Sequence, residues 1–265
     1  MLGKRCKSQA FLPPFFLAEL FHRTRSIFYL ACKLALVSLF VFILFLPLDP
    51  TTHLPHLPLS PLQIVVLEIF MDLGASATFV AEAGEATIVT RRPSDTRNIF
   101  DRVLVGDIIR GGAVLFMAVA GAWAIGWRMA KTGGPDQDER ENAARTFTFL
   151  GWLIGHVVLA GTLRSRDVPL RIHGMFGNRT YTTWAGCVVV FACMCLVPQV
   201  AHALKLVGYD RMSPGGVAIV AALAVCGVGG VLEVWKEVHW CMMKRRVGLD
   251  EENLNIVIIP NIQNE

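Results

Sequence analysis

Charged residues are scarce: they make up 17% of the chain, while hydrophobic residues make up 54%. A water-soluble domain of this length would expose a surface needing more charge than that. A soluble enzyme is therefore a poor fit. A disulfide framework is excluded as well, because the seven cysteines are odd in number and contain no Cys-x-x-Cys pair. Most of them fall in apolar stretches, where cysteine packs as a small hydrophobe. Cys193-x-Cys195 is read the same way rather than as a soft-metal site. A strong excess of one charge sign is missing too. The formal net charge is only +4, and the basic residues flank apolar runs instead of lining one face, so nucleic acid is not an expected partner. The glycine patches at Gly111-Gly112, Gly215-Gly216 and Gly227 to Gly230 lack phosphate-loop spacing and read as points of close helix packing. A cleavable signal peptide is not expected, although Lys4, Arg5 and Lys7 precede the first apolar run. That run is long enough to cross a bilayer, and no small-x-small cleavage site follows it.

What the chain has instead is long apolar runs separated by short polar loops. A helix that crosses the hydrocarbon needs about 20 mostly apolar residues. Six runs qualify: 26–46, 61–81, 104–127, 146–163, 182–200 and 215–235. Each must be helical, because lipid offers no partners for open backbone groups. The expected fold is an all-α membrane protein, a bundle of six transmembrane helices. Loop 82–103 carries Arg91, Arg92, Arg97 and Arg102; loop 164–181 carries Arg164, Arg166, Arg171 and Arg179; and the tail opens with Lys244, Arg245 and Arg246. Loop 47–60 has no lysine or arginine, and loop 131–145 mixes both signs. By the positive-inside rule both termini are cytoplasmic. The layout is a basic N-terminus at 1–25, a membrane domain at 26–243 and a cytoplasmic tail at 244–265. His53 and His56 lie in the proline-rich loop 47–60 and are read as solvated.

The second run is the weakest on hydropathy because it holds Glu68 and Asp72, four residues apart and so on one helical face. Placing an aspartate at a bilayer centre costs about 2.5–3.5 kcal/mol on insertion scales. Three arrangements meet that cost: coordination of a cation or proton, a static salt bridge for which Lys33 supplies the cation, or a position near the helix end where water solvates both. His156 lies midway along the fourth run, in GWLIGHVVLAG. A buried histidine is more often hydrogen-bonded to backbone than a ligand.

A family resemblance follows from these residues. Pro61-Leu62-Gln63-Ile64 through Leu67-Glu68-Ile69-Phe70-Met71-Asp72 resembles P-x-Q-[IL]-L-W-x-N-L-x-T-D, the sixth membrane helix of P-type cation-transporting ATPases. Arg91-Arg92-Pro93 resembles the KRPP that follows that helix, and Ala144-Arg145-Thr146-Phe147 the A-R-T-M that opens the eighth. Phe176-Gly177-Asn178 is similar to the F-x-N before the ninth, and Leu232-Glu233-Val234-Trp235-Lys236 to the D-E-x-x-K of the tenth. Order and spacing agree from about residue 21 to residue 244. The resemblance implies helices five to ten of a ten-helix pump. It implies Asp72 as an ion ligand, Glu68 in place of an asparagine, Met71 in place of a threonine, His156 at the eighth-helix ligand position and Lys33 as a built-in counter-ion. These departures favour a proton or monovalent cation over calcium, which takes several oxygens at 2.3–2.6 Å.

The pump's motor is not written in this sequence. DKTGT, TGE, GDGxND and PEGL are absent. Lys131-Thr132-Gly133-Gly134 imitates part of the first, but Ala130 stands where the aspartate nucleophile belongs. No loop is long enough to fold as a nucleotide domain. ATP and Mg2+ would belong to missing catalytic domains, and this chain alone is expected not to hydrolyse ATP. Expected partners are the lipid bilayer, the transported cation and a separate chain carrying the catalytic domains. The alternative is a degenerate, non-transporting membrane protein with an interaction or regulatory role.

Overall fold

A computed structural model describes residues 14–46, 56–81, 102–129, 137–165, 168–174, 177–194, 197 and 214–247, and among them every regular element is a helix. Helix α1, Pro14–Leu44, begins at a proline, whose missing N–H and fixed φ suit a first helical turn. Across Thr24–Leu44 it buries Phe28, Ala31, Ala35, Leu39 and Ile43, while Leu34, Val37 and Val41 stay exposed. That spacing of three and four is one face of a helix. Apolar side chains on the opposite face as well mark a helix whose outside meets lipid rather than water.

Helix α2, Pro61–Val80, starts with a capping box. Ser60 Oγ accepts from the Gln63 N–H at 3.2 Å, and Gln63 Oε1 accepts from the Ser60 N–H at 2.8 Å. Two orphan donors are thereby satisfied at a helix start. Its middle turn, Leu67–Met71, widens to a π-helix before the chain resumes α-helical geometry at Asp72.

Helix α3, Arg102–Met129, and helix α4, Gln137–Leu163, form the most extensive helix pair, and α3 packs nearly as extensively on α1. Close approach there depends on glycine. A methyl group on Gly126 would lie 2.9 Å from Ala144 Cα, and one on Gly112 would lie 3.0 Å from the Ala31 carbonyl oxygen. Helix α4 is the hub: 83% of its membrane-crossing part is buried, against 39% or less for the four other long spans. It starts at Gln137, well before residue 146, because Gln137 to Arg145 is rich in good helix formers that hydropathy alone assigns to a loop.

A short helix α5, Leu170–His173, ends at Gly174, whose φ of 85° is readily adopted by glycine. Helix α6, Arg179–Met194, follows, and helix α7 runs over 214–247 as Pro214–Ala222, a π-helical stretch Leu223–Gly230 and Val231–Val247. Of the glycine patches, Gly111-Gly112 sits in the α1–α3 contact and a methyl group on Gly229 would lie 2.9 Å from Val158 Cγ1, whereas Gly215 and Gly230 face open space. Close packing thus explains only part of that pattern.

Among the described residues, five helices are long and apolar enough to cross a membrane: those containing Thr24–Leu44, Pro61–Val80, Arg102–Met129, Arg140–Leu163 and Gly215–Met242. The run 182–200 is represented by α6, which spans 16 residues. The basic residues 91, 92 and 97, the tail from 248 onward and residues 1–13 lie outside the described residues.

Candidate ion site

Helices α1, α2 and α4 bring the sequence-derived residues together. Glu68 and Asp72 lie in the middle of α2, not at a solvated end. With His156 of α4 they line one small cavity of about 10 Å³, walled by Cys32 and Leu36 of α1, Ile64 and Leu67 of α2 and Trp152 of α4. A space that size holds no more than about one water. The π-turn begins one residue before Glu68 and ends one before Asp72, so its extra residue resets the angle between the two carboxylates. Such turns are frequent at functional sites.

Lys33 does not line the cavity. It reaches across from α1 to form an ion pair with Glu68 Oε2 and also lies over the Tyr29 ring at 4.9 Å. Of the three arrangements open to Glu68 from sequence, the salt bridge is present. The pair's side chains are 32% and 38% exposed. A charged pair at mid-span cannot rest against hydrocarbon without cost, so this flank of α1 and α2 needs a polar or protein neighbour.

His156 is 3% exposed, and Trp152 holds it from one turn below. Trp152 Nε1–H donates to His156 Nε2 at 3.2 Å, and His156 Nδ1 lies 3.1 Å from the Trp152 carbonyl oxygen. Satisfying both contacts requires the neutral ring with its proton on Nδ1. Phe28 packs edge-on against the imidazole at 5.6 Å. In this arrangement the Nε2 lone pair is engaged, and the ring would have to rotate before it could bind a cation. Met71, where a threonine is expected from the resemblance, is fully buried and fills core space instead of offering an oxygen. Among the described residues, no three His, Cys, Asp or Glu side chains converge as for a metal ion. The direct side-chain oxygen donors facing the cavity are the two carboxylates. That is a sparse set for a hard divalent ion and an adequate one for a proton or small monovalent cation.

Trp152 and Cys32 were not singled out from sequence. The legible signal for Trp152 was its place four residues before His156 on a helix, where side chains stack over one another. The motif residues do structural work that their sequence pattern does not announce. Asn178 accepts the Tyr181 N–H at 3.0 Å as the cap of α6, and its Nδ2 donates to the Thr78 carbonyl of α2 at 3.0 Å. Arg145 pairs with Glu141 and donates through Nε to the Leu57 carbonyl at 3.0 Å. Glu233 accepts the Leu170 N–H at 2.7 Å and pairs with Lys236 at 2.6 Å, while Lys236 also donates to the Thr162 carbonyl. The bonds from Asn178 to Thr78, Arg145 to Leu57, Leu170 to Glu233 and Lys236 to Thr162 join segments far apart in sequence. His56 is not solvated: it is 7% exposed, packs on Trp127 at 5.0 Å and lies 3.8 Å from Glu141, because the α3–α4 end closes over the loop. His53 and Cys195 lie outside the described residues.

Comparison with known proteins identifies the family. No curated protein matches the chain. Residues 56–238, most of its length and including Glu68, Asp72 and His156 but not Lys33, match the family described as Cation transporting ATPase, C-terminus. The chain belongs to that family: it is an integral, multi-pass membrane protein built on the C-terminal membrane domain of P-type cation ATPases.

Proposed function

We propose that this chain is the ion-pathway half of a P-type cation pump, contributing to cation transport only together with phosphorylation and nucleotide-binding domains carried by a separate catalytic part. The observation that carries this reading is the convergence of Glu68, Asp72 and His156 on one cavity at the π-turn of α2, with Lys33 paired to Glu68 outside it. Asp72 is the primary ion ligand. Glu68 and its Lys33 partner form a fixed ion pair beside it, so part of the charge a pump would otherwise draw from a second bound cation is built into the protein. That favours a proton or a single monovalent cation as cargo. ATP and Mg2+ act in the catalytic part. The bundle has six crossings with both termini cytoplasmic, and the arginine-rich loops 82–103 and 164–181 face the cytoplasm.

Two measurements test this assignment. The purified chain should hydrolyse no ATP, and cation uptake into vesicles should appear only when the catalytic part is reconstituted with it. Substantial hydrolysis by the chain alone, or no transport with any catalytic part, contradicts the proposal.

The Lys33–Glu68 pair also favours a second reading, in which the site is a closed electrostatic staple in a non-transporting membrane protein of interaction or regulatory role. Replacing Lys33 with methionine separates the two. A counter-ion role predicts that cation affinity changes by at least tenfold in Lys33→Met, whereas a staple predicts lower stability and no cation dependence.

A further inference from the structure

Trp184 of α6 is 8% exposed, and among the described residues its Nε1–H has no hydrogen-bond partner. Leaving a buried donor unmade is costly, so the indole is kept here for the surface it presents. That surface meets α2 at Gly74. A methyl group on Gly74 would lie 2.0 Å from Trp184 Nε1 and 2.2 Å from its Cδ1, so no side chain fits there. The ring is itself held in place. Tyr181 packs edge-on against it at 6.2 Å and donates its hydroxyl to the Val157 carbonyl of α4, next to His156, at 3.1 Å. One turn further along α2, Asn178 donates to the Thr78 carbonyl at 3.0 Å, and the Thr78 hydroxyl donates to the Gly74 carbonyl at 2.6 Å. The start of α6 thus grips α2 at two successive turns.

The grip falls on one half of α2. Residues 72–80 pack on α6 and α1, whereas residues 61–66 make no comparably extensive contact with another helix. The π-turn Leu67–Met71 separates the two halves. Asp72 is the first residue of the gripped half, while Glu68, inside the turn, is tied instead to Lys33 of α1. Successive helical residues are about 100° apart, so Gly74 points about 200° away from Asp72. Trp184 therefore backs the helix on the side away from the carboxylate cavity. Turning this half by one residue would drive the side chain of Leu73 or Ala75 into the indole, where only glycine fits. The ring keys the rotation of α2 at the point that sets where Asp72 aims.

We infer that Trp184 is a positioning residue for Asp72: seated on Gly74, it holds that carboxylate toward the cavity, while Lys33 holds Glu68 separately. The inference rests on the proposed ion site for what Asp72 is held to do, but the positioning is read without any transport. The full chain in lipid vesicles is treated at one fixed pH with dicyclohexylcarbodiimide, a lipid-soluble reagent that adds to protonated carboxyl groups. Mass spectrometry then locates the modified side chains. Trp184→Ala frees this half of α2 to turn Asp72 out of the cavity, so the ratio of Asp72 to Glu68 modification should rise at least fivefold. Trp184→Phe keeps a flat ring and loses only the unpartnered N–H, so its ratio should stay within twofold of wild type. Val119→Ala, a core cut in α3, which packs on α1, α4 and α7 rather than on α2, should also stay within twofold. A folded Trp184→Ala protein with an unchanged ratio would overturn the inference. So would an equal rise in Val119→Ala, because the effect would then be a general loosening of the bundle. Gly74→Ala parts the same two surfaces from the α2 side; it should raise the ratio likewise, and it decides the matter if Trp184→Ala does not fold. Should the ratios behave as expected while Asp72→Asn leaves cation uptake intact, the ion-site reading fails and the positioning stands. Should Asp72→Asn abolish uptake while the ratios do not move, the positioning alone fails.

Discussion

Lys33 and Glu68 neutralise each other in the middle of the membrane, and removing either leaves the other uncompensated. Because both are about one-third exposed, the large penalties measured for fully buried pairs do not transfer directly. Glu68→Gln is expected to lower stability by about 1–2 kcal/mol, and Lys33→Met combined with Glu68→Gln to recover most of that loss. Thermal unfolding of the two single variants and the double in the same detergent gives the coupling; additive losses would mean that the pair is not an interacting unit. Asn178 makes a second residue-scale case. Asn178→Ala removes the α6 cap and leaves the Thr78 carbonyl without its donor, at a cost of about 1–3 kcal/mol. Asn178→Asp keeps the cap acceptor but not the donated bond, so it should recover only part of the loss in the same melt.

At the scale of elements, hydropathy located the long helices because lipid imposes length and helicity together. It could not place their polar extensions: α4 runs back to Gln137 through residues that only propensity marks as helical. Nor could it see the π-turn in α2, since one extra residue in a turn leaves the apolar pattern of Leu67–Met71 unchanged. Glu68 and Asp72 were legible as an expensive pair, and Lys33 as one available cation. Which arrangement meets the cost depends on the register between α1 and α2, which is a tertiary property. The role of Trp152 was hidden for a related reason, because only the structure shows that it occupies both nitrogens of His156. The glycines of α3 give the prediction at this scale. Gly126→Ala places a methyl group 2.9 Å from backbone and side-chain atoms of α4. It should cost about 1–3 kcal/mol as the helices separate, whereas Gly106→Ala, with nothing nearby, should stabilise the helix slightly. Equal effects in the two variants, read by denaturation, would contradict the packing described.

The described part of the molecule is a bundle organised around α4, with an ion pair and a carboxylate opening on one flank. The proposed function accounts for this feature: a pump's membrane domain would hold its cargo between helices, and the charged flank of α1 and α2 requires a polar or protein neighbour. Family membership explains why the order of weak motifs carried more information than any one of them. Among the described residues, the motifs around Glu68, Arg145, Asn178 and Glu233 each hold a tie between elements, and the ties must recur in sequence order if the bundle is to close. The central claim is that Asp72 holds the transported cation and Glu68 tunes the site. The most direct test is cation uptake into vesicles by the chain assembled with its catalytic part, comparing wild type, Glu68→Gln and Asp72→Asn at matched protein levels. Asp72→Asn should lower uptake by at least a hundredfold, about 2.7 kcal/mol in barrier, while Glu68→Gln should retain transport with altered cation or pH dependence. Uptake that survives both substitutions unchanged would contradict the account.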